Sequence, residues 1–242
     1  TIQVDNGIMT PEVLYSFGRI GDVVLSPDKS KILYQVTYVS IDENKTNPEL
    51  FVMDVNGENK KRLTFTNARE SNPVWIKNGE RIAFLSNESG TSQIWSIMPD
   101  GSGMRQITDV EGGVNGFTFS PDETKVMLIR DVKYGETVHD VYPDLPKASG
   151  RVRDDLMYKH WDHWVESIPH VFVADFTDNK VSNIVDLLEG EPYEAPMLPF
   201  GGTEQVAWSP DSKTIAYTSR KKTGKEYAVS TNSDIYFYDI VN

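Results

Sequence analysis

The residues best equipped for chemistry lie in one run, His160-Trp161-Asp162-His163-Trp164-Val165-Glu166, preceded by Arg151, Arg153 and Tyr158. All four histidines (His139, His160, His163, His170) and two of the five tryptophans sit in or at the end of the longer insertion, between Ile129 and His170, that contains this run. His160 and His163, with Asp162 and Glu166, are metal-ligand types. His-x-x-His is a weak pattern when no third ligand is fixed by spacing, so no metal and no other cofactor is assigned. Trp161 and Trp164 suit either the wall of a ligand pocket or an anchor of the loop to a sheet. A carboxylate such as Glu166 or Asp162 beside aromatic rings suits a peptide ammonium group, since a charge-assisted hydrogen bond strengthens where water is excluded. Arg151 and Arg153 with Asp154 and Asp155 also read as a surface ion-pair cluster, worth little to stability. The candidate binding set is Glu166, Asp162, Trp161, Trp164, His163, Tyr158, Arg151 and Arg153, with no catalytic residue among them.

The elements that must position these residues repeat. Leu25-Ser26-Pro27-Asp28, Phe119-Ser120-Pro121-Asp122 and Trp208-Ser209-Pro210-Asp211 each lead into a short β-rich run, and Trp75-Ile76-Lys77-Asn78-Gly79 does so with a different turn. From Tyr34 to Phe84, Leu128 and Tyr217 the steps are 50, 44 and 89 residues. Alternating apolar residues at that period indicate β-propeller blades rather than helical repeats. A second strand follows each hairpin (Glu49–Asp54, Ser92–Ile97, His170–Asp175, Ser233–Asp239). After it come turn pairs Asn56-Gly57, Asp100-Gly101 and Asp178-Asn179, which favour positive φ at both positions. Closing strands are expected at Lys61–Thr64 and Arg105–Thr108. The blades are placed at about 19–65, 66–109, 110–190 (with an insertion over 131–169) and 200–242. The fold expected is all-β, about four blades of an incomplete propeller whose open edge offers a homodimer contact, with a complete four-bladed ring as the alternative. One helix is expected, N-capped by Thr10 before Pro11 and Glu12 and ended by Gly18. Its apolar face of Val13, Leu14 and Phe17 would plug one side of the first blade.

Composition excludes more than it names. A formal net charge of −12 over 242 residues disfavours nucleic acid or an anionic membrane as partner. With no cysteine there is no disulfide, no Cys-ligated zinc and no Cys nucleophile. No Gly-x-Ser-x-Gly elbow and no phosphate-cradling glycine loop occurs, so the chain by itself is expected not to catalyse. No apolar run approaches membrane-helix length. A start at Thr1 without Met is what removal of a signal segment leaves, and equally what an engineered boundary leaves; the fourth unit stops before its turn and closing strand, as in part of a longer protein.

The Ser-Pro-Asp repeats resemble TolB-like, WD-related propeller repeats. The motifs Met9-Thr10-Pro11-Glu12-Val13-Leu14, Tyr142-Pro143-Asp144-Leu145-Pro146, Asp154-Asp155-Leu156-Met157-Tyr158, His160-Trp161-Asp162-His163-Trp164 and Gly190-Glu191-Pro192-Tyr193 are more specific. They resemble the amino-terminal propeller of secreted prolyl oligopeptidase-family serine peptidases, in the dipeptidyl-peptidase V and acylaminoacyl-peptidase group of Bacteroides-like bacteria. The resemblance implies a separate carboxyl-terminal α/β-hydrolase domain as partner, short peptides as ligands, and a periplasmic or secreted location. In a related branch a Trp-containing acidic loop holds the substrate amine with paired Glu residues. Trp164-Val165-Glu166 matches that loop only in part, with a single Glu. A TolB-like envelope propeller that binds protein partners without a hydrolase is the alternative, and a propeller acting on glycans or lactones in its central channel is a third class.

Overall fold

The computed structural model describes residue 4 and residues 6–240. Thr1, Val241 and Asn242, on which the expectations of a removed leader and an unfinished blade rest, lie outside the described residues. The chain divides into two compact units, residues 1–113 and 114–242.

In the first unit, helix α1 (Pro11–Ser16) precedes a four-stranded meander of β1 (Arg19–Leu25), β2 (Lys31–Ser40), β3 (Lys45–Asp54) and β4 (Lys61–Arg62). A second meander follows with β5 (Glu70–Ile76), β6 (Arg81–Ser86), β7 (Gln93–Ile97) and β8 (Arg105–Gln106). Leu33, Leu50, Val52, Leu63, Ile82 and Phe84 from the two sheets form one core. Alternation turns Leu50 and Val52 of β3 and Ile82 and Phe84 of β6 into it. The Trp75 indole in β5 donates to the Val24 carbonyl in β1 at 3.3 Å, so a bond as well as packing joins the sheets. Thr10 caps α1 as expected, its hydroxyl accepting from Val13 N. Only Val13 of the expected apolar face is buried; Leu14 and Phe17 stay exposed, because six residues make too short a helix to turn all three inward.

In the second unit the third meander has the order β14-β13-β10-β9, from β9 (Gly116–Phe119), β10 (Lys125–Lys133), β13 (Ser167–Thr177) and β14 (Lys180–Asp186). Between β10 and β13 lie the short helix α2 (Val138–Val141) and a two-stranded hairpin, β11 (Lys159–His160) with β12 (His163–Trp164). A three-stranded sheet follows, β15 (Val206–Trp208), β16 (Thr214–Ser219) and β17 (Asp234–Asp239), with helix α3 (Gly224–Val229) between the last two. Met127, Ile129, Val171, Val173, Ile215 and Tyr217 belong to the core these sheets share. Trp208 repeats the role of Trp75, its indole donating to Thr118 O at 3.2 Å.

The Ser-Pro-Asp turns show why that tripeptide recurs. In the first, the Asp28 carboxylate accepts from the Ser26 hydroxyl and from Ser30 N, while Ser26 Oγ accepts from Lys31 N. The other two turns make the equivalent bonds around Asp122 and Asp211. The residue after each Asp is left-handed (Lys29, Glu123, Ser212), a strain these side-chain bonds offset.

Several expectations need correction. The closing strands end at Arg62 and Gln106, two residues early. The Thr64 and Thr108 hydroxyls take over the ladder there, accepting from Leu50 N at 3.0 Å and Ile94 N at 2.8 Å. Both turn residues have positive φ only at Asp178-Asn179; at the two X-Gly pairs the glycine alone does. α2 and α3 were not expected. α2 is nucleated by a capping box in which Thr137 and Asp140 each bond the other's backbone N–H. The insertion is shorter than 131–169, because β10 and β13 stay paired out to Lys133↔Ser167.

Candidate functional site

The long β10–β13 arm sets the base of residues 134–166, and a bond from Tyr134 N to Glu166 O at 3.1 Å closes it. Beyond that, side chains hold the insertion down. Met157, Val165 and Ile168 are buried together against Val132, Tyr134 and Tyr227. Asp155 accepts from Met157 N and from Gly224 N, both at 3.0 Å, tying the segment to the start of α3.

The firmest clamp centres on Glu194, which is wholly buried. One carboxylate oxygen accepts from the Tyr227 hydroxyl at 2.9 Å and the other faces His160 Nε2 at 3.0 Å. Burial and then the Glu194 charge push the Tyr227 phenol well above its ordinary pKa, so it acts as a permanent donor. The Arg220 guanidinium stacks 3.8 Å from the Tyr227 ring centroid. Sequence reading assigned nothing to Glu194 or Tyr227. Neither stands in a motif, and their shared role exists only because three distant segments meet.

Above the clamp the β11–β12 hairpin pairs Lys159 with Trp164 and His160 with His163. Its turn is Trp161-Asp162, and Trp161 is left-handed (φ 52°), a costly conformation for a bulky residue. The Trp161 ring, 71% exposed, meets the equally open Phe200 ring edge to face at 5.0 Å. Trp164, 42% exposed, is ringed by cations: Arg151 at 4.6 Å, Lys159 at 5.0 Å and Arg153 at 5.9 Å from its centroid. Tyr158 lies 6.2 Å away. Glu166 pairs with Arg151 Nε at 3.1 Å and Arg153 Nη2 at 3.5 Å.

The structure therefore gathers Arg151, Arg153, Tyr158, Trp164 and Glu166 into one cluster. Trp161 sits apart with Phe200, and Asp162 and His163 pair with each other at 3.3 Å in open solvent at the hairpin tip. His160 turns to Glu194, away from His163. Among the described residues no group of three His, Cys, Asp or Glu side chains is arranged to hold a metal ion. Lys159 was missed, although reading 159–164 as a hairpin with a two-residue turn sets it opposite Trp164.

Beside the clamp lies a cleft of about 500 Å³ lined by Tyr134, Asp154, Asp155, His170, Asp186 and Glu191, among others. His170 Nδ1 meets Asp186 at 2.8 Å at the cleft wall, and its Nε2 is buried without a partner.

The TolB beta propeller domain family matches residues 17–146, more than half of the chain. The chain belongs to that family. Its four meanders are propeller blades, as the repeats led us to expect. It is 48% identical to Dipeptidyl-peptidase 5 of Porphyromonas gingivalis over 97% of its own length and 34% of that protein's, so it spans about a third of the curated relative. Among solved structures, the acylaminoacyl peptidase of Pyrococcus horikoshii superposes with a TM-score of 0.63 at 14% identity, over 95% of this chain and 32% of that one. TolB from Acinetobacter baumannii gives 0.52 at 16% identity, over 92% and 41%. At such identities these two show the fold alone.

Proposed function

We propose that this chain is the propeller part of a secreted or periplasmic serine exopeptidase of the dipeptidyl-peptidase type, and that it admits and positions short peptides for a separate α/β-hydrolase domain. One observation carries the reading: 48% identity to Dipeptidyl-peptidase 5 runs along nearly the whole chain yet covers only a third of that protein. This favours a peptidase propeller over a TolB-like protein-binding propeller, whose likeness extends to the fold. The insertion suits the positioning role because a buried clamp fixes its base while Trp161 and Trp164 stay accessible. A rigid base with an exposed aromatic and charged tip holds ligand groups at low entropic cost.

The test uses the longest natural polypeptide containing this chain. Dipeptidyl chromogenic substrates with a free amine should be cleaved, N-acetylated versions resisted, and the rate should fall steeply as peptides lengthen. Absence of cleavage on every dipeptidyl substrate would overturn the assignment. Cleavage indifferent to peptide length would overturn the gating role.

A further inference from the structure

The charge around Trp164 has the wrong sign for the amine ligand that the sequence favoured. Arg151, Arg153 and Lys159 all stand within 6 Å of one indole ring. A single carboxylate, Glu166, is in contact with them. Asp155, nearby in sequence, is committed to the backbone N–H groups of Met157 and Gly224. Asp154, with Glu136 and Asp155, lines a small pocket that Arg153 and Tyr134 also reach, but forms no ion pair with Arg151 or Lys159 among the described residues. At the ring itself three cations stand against the one carboxylate of Glu166, a local positive excess whose mutual repulsion an incoming anion would relieve.

Arg153 adds a second observation. Its Nη1 donates to Val152 O at 2.7 Å, but Nε and Nη2 are buried and have no hydrogen-bond partner. Those two N–H groups form the edge that grips a carboxylate with two parallel bonds. Glu166 stands just too far off, at 3.5 Å from Nη2, because Arg151 holds the same oxygen at 3.1 Å. An anion arriving beside Trp164 would take Arg151 and Lys159, both solvent-facing, which already lie over the ring. Glu166, released from Arg151, would then close onto the open edge of Arg153. Every buried donor gains a partner in that exchange.

We propose that Arg151, Lys159 and Trp164 form a binding site for a peptide carboxylate, with Arg153 and Glu166 as its positioning pair. The site rests on the peptide reading above and deepens it by naming the ligand group. The carboxylate comes from an acidic side chain or from the peptide carboxyl terminus, and one experiment separates the two.

Four N-acetylated tripeptides, blocked against amino-terminal processing, would be titrated into the full-length protein: Asp or Asn in the middle, each with a free or an amidated carboxyl terminus. Calorimetry reads affinity and tryptophan fluorescence reads the site. The carboxylate-bearing member of a pair should bind about tenfold tighter than its amide twin, the factor expected of a charge-assisted pair. The Asp/Asn pair responds if the source is a side chain, the acid/amide terminus pair if it is the carboxyl end. Lys159→Gln, which removes an exposed cation held only against the ring, should cut the preference to about threefold or less, and Arg151→Gln should do the same. Lys180→Gln, an exposed charge on β14, should not. Trp164→Phe should abolish the fluorescence change.

Equal binding within both pairs overturns the proposal, as does a preference that survives Lys159→Gln. Competition by inorganic phosphate at the same concentration as the peptide would reduce the site to a general anion patch and also overturns it. Cleavage of a free-amine dipeptidyl substrate by the same preparation reports separately. Cleavage without carboxylate preference sinks this site alone, and carboxylate preference without cleavage sinks the peptidase assignment alone.

Discussion

Glu70, at the start of β5, is fully buried yet has no cation to face. One carboxylate oxygen accepts from the hydroxyls of Thr66 at 2.6 Å and Ser86 at 3.3 Å, and the other has no partner. Burial raises its pKa to about 7 against the partial pull of the two hydroxyls, and the charge of Glu49 adds to the rise. A folded pKa above the ordinary 4.5 means the folded state keeps a proton the unfolded chain has released. The contribution of Glu70 to stability is therefore full below about 4.5, declines as pH rises to about 7 and levels off, a loss on the order of 3 kcal/mol. Glu70→Gln keeps an acceptor for both hydroxyls and cannot ionise. At pH 5 the variant should match the wild type within about 1 kcal/mol, and at pH 8 it should be clearly more stable by urea denaturation. Equal pH slopes for the two proteins would show that Glu70 is ionised throughout. Nothing in the sequence marked this residue. A Glu reads as a surface group until the sheet closes over it, whereas the cluster at Trp164 was legible because aromatic, basic and acidic residues crowd within sixteen positions.

At the scale of the strand, the same slot recurs with different chemistry. Phe51 pairs with Arg62, Trp95 with Gln106 and Phe172 with Asp186. Two residues before each aromatic stand Glu49, Gln93 and His170, which bond respectively to Arg62, Thr108 and Asp186. The polar pair at the strand entry is kept while its charges change from acid–base to neutral to base–acid. Hydrophobic alternation and turn residues made the meanders readable from sequence, since period and turn chemistry are local. The slot was invisible because its partners are set by register. In the first two blades a threonine completes it: Thr64 accepts from Leu50 N and donates to Glu49, and Thr108 does so for Ile94 and Gln93. Thr64→Val keeps the shape but leaves Leu50 N and Glu49 Oε2 unpaired, and Thr108→Val leaves Ile94 N unpaired while Gln93 Oε1 keeps its bond from Val110 N. Each should cost about 2–3 kcal/mol in chemical denaturation, with Thr→Ser costing less than half of that. A loss below about 0.5 kcal/mol in both valine variants would mean that water satisfies the strand end instead.

Across the whole molecule, two sets of carboxylates pull the pH dependence in opposite directions. The turn aspartates are held below the ordinary 3.8: Asp28 to about 2, first by the Ser26 hydroxyl, and Asp122 and Asp211 in the same direction by Ser120 and Ser209. Asp54 and Asp175 are lowered by Lys31 and Lys125, which join the strands next to those turns. A depressed folded pKa gives stability that is present above about 3.8 and is lost as pH falls from there toward about 2. Three copies of one turn, each in a different blade, therefore weaken together in acid. On the other side, Glu70 loses its contribution between about 4.5 and 7, and the excess of acidic groups, 36 against 24 basic, adds self-repulsion as pH climbs. The two slopes leave a maximum of thermal stability near pH 4–5.5, more acidic than the usual interval of about 5 to 8. Melting of the intact protein from pH 3 to 9 at fixed ionic strength measures it. Glu70→Gln should flatten the alkaline side without moving the acid limb, whereas Ser26→Ala and Ser120→Ala should lower stability at neutral pH and flatten the acid limb, because Asp28 and Asp122 then titrate closer to their unfolded value. A maximum above pH 7 in the wild type would mean that the turn aspartates, rather than buried Glu70 and net charge, govern the molecule's response.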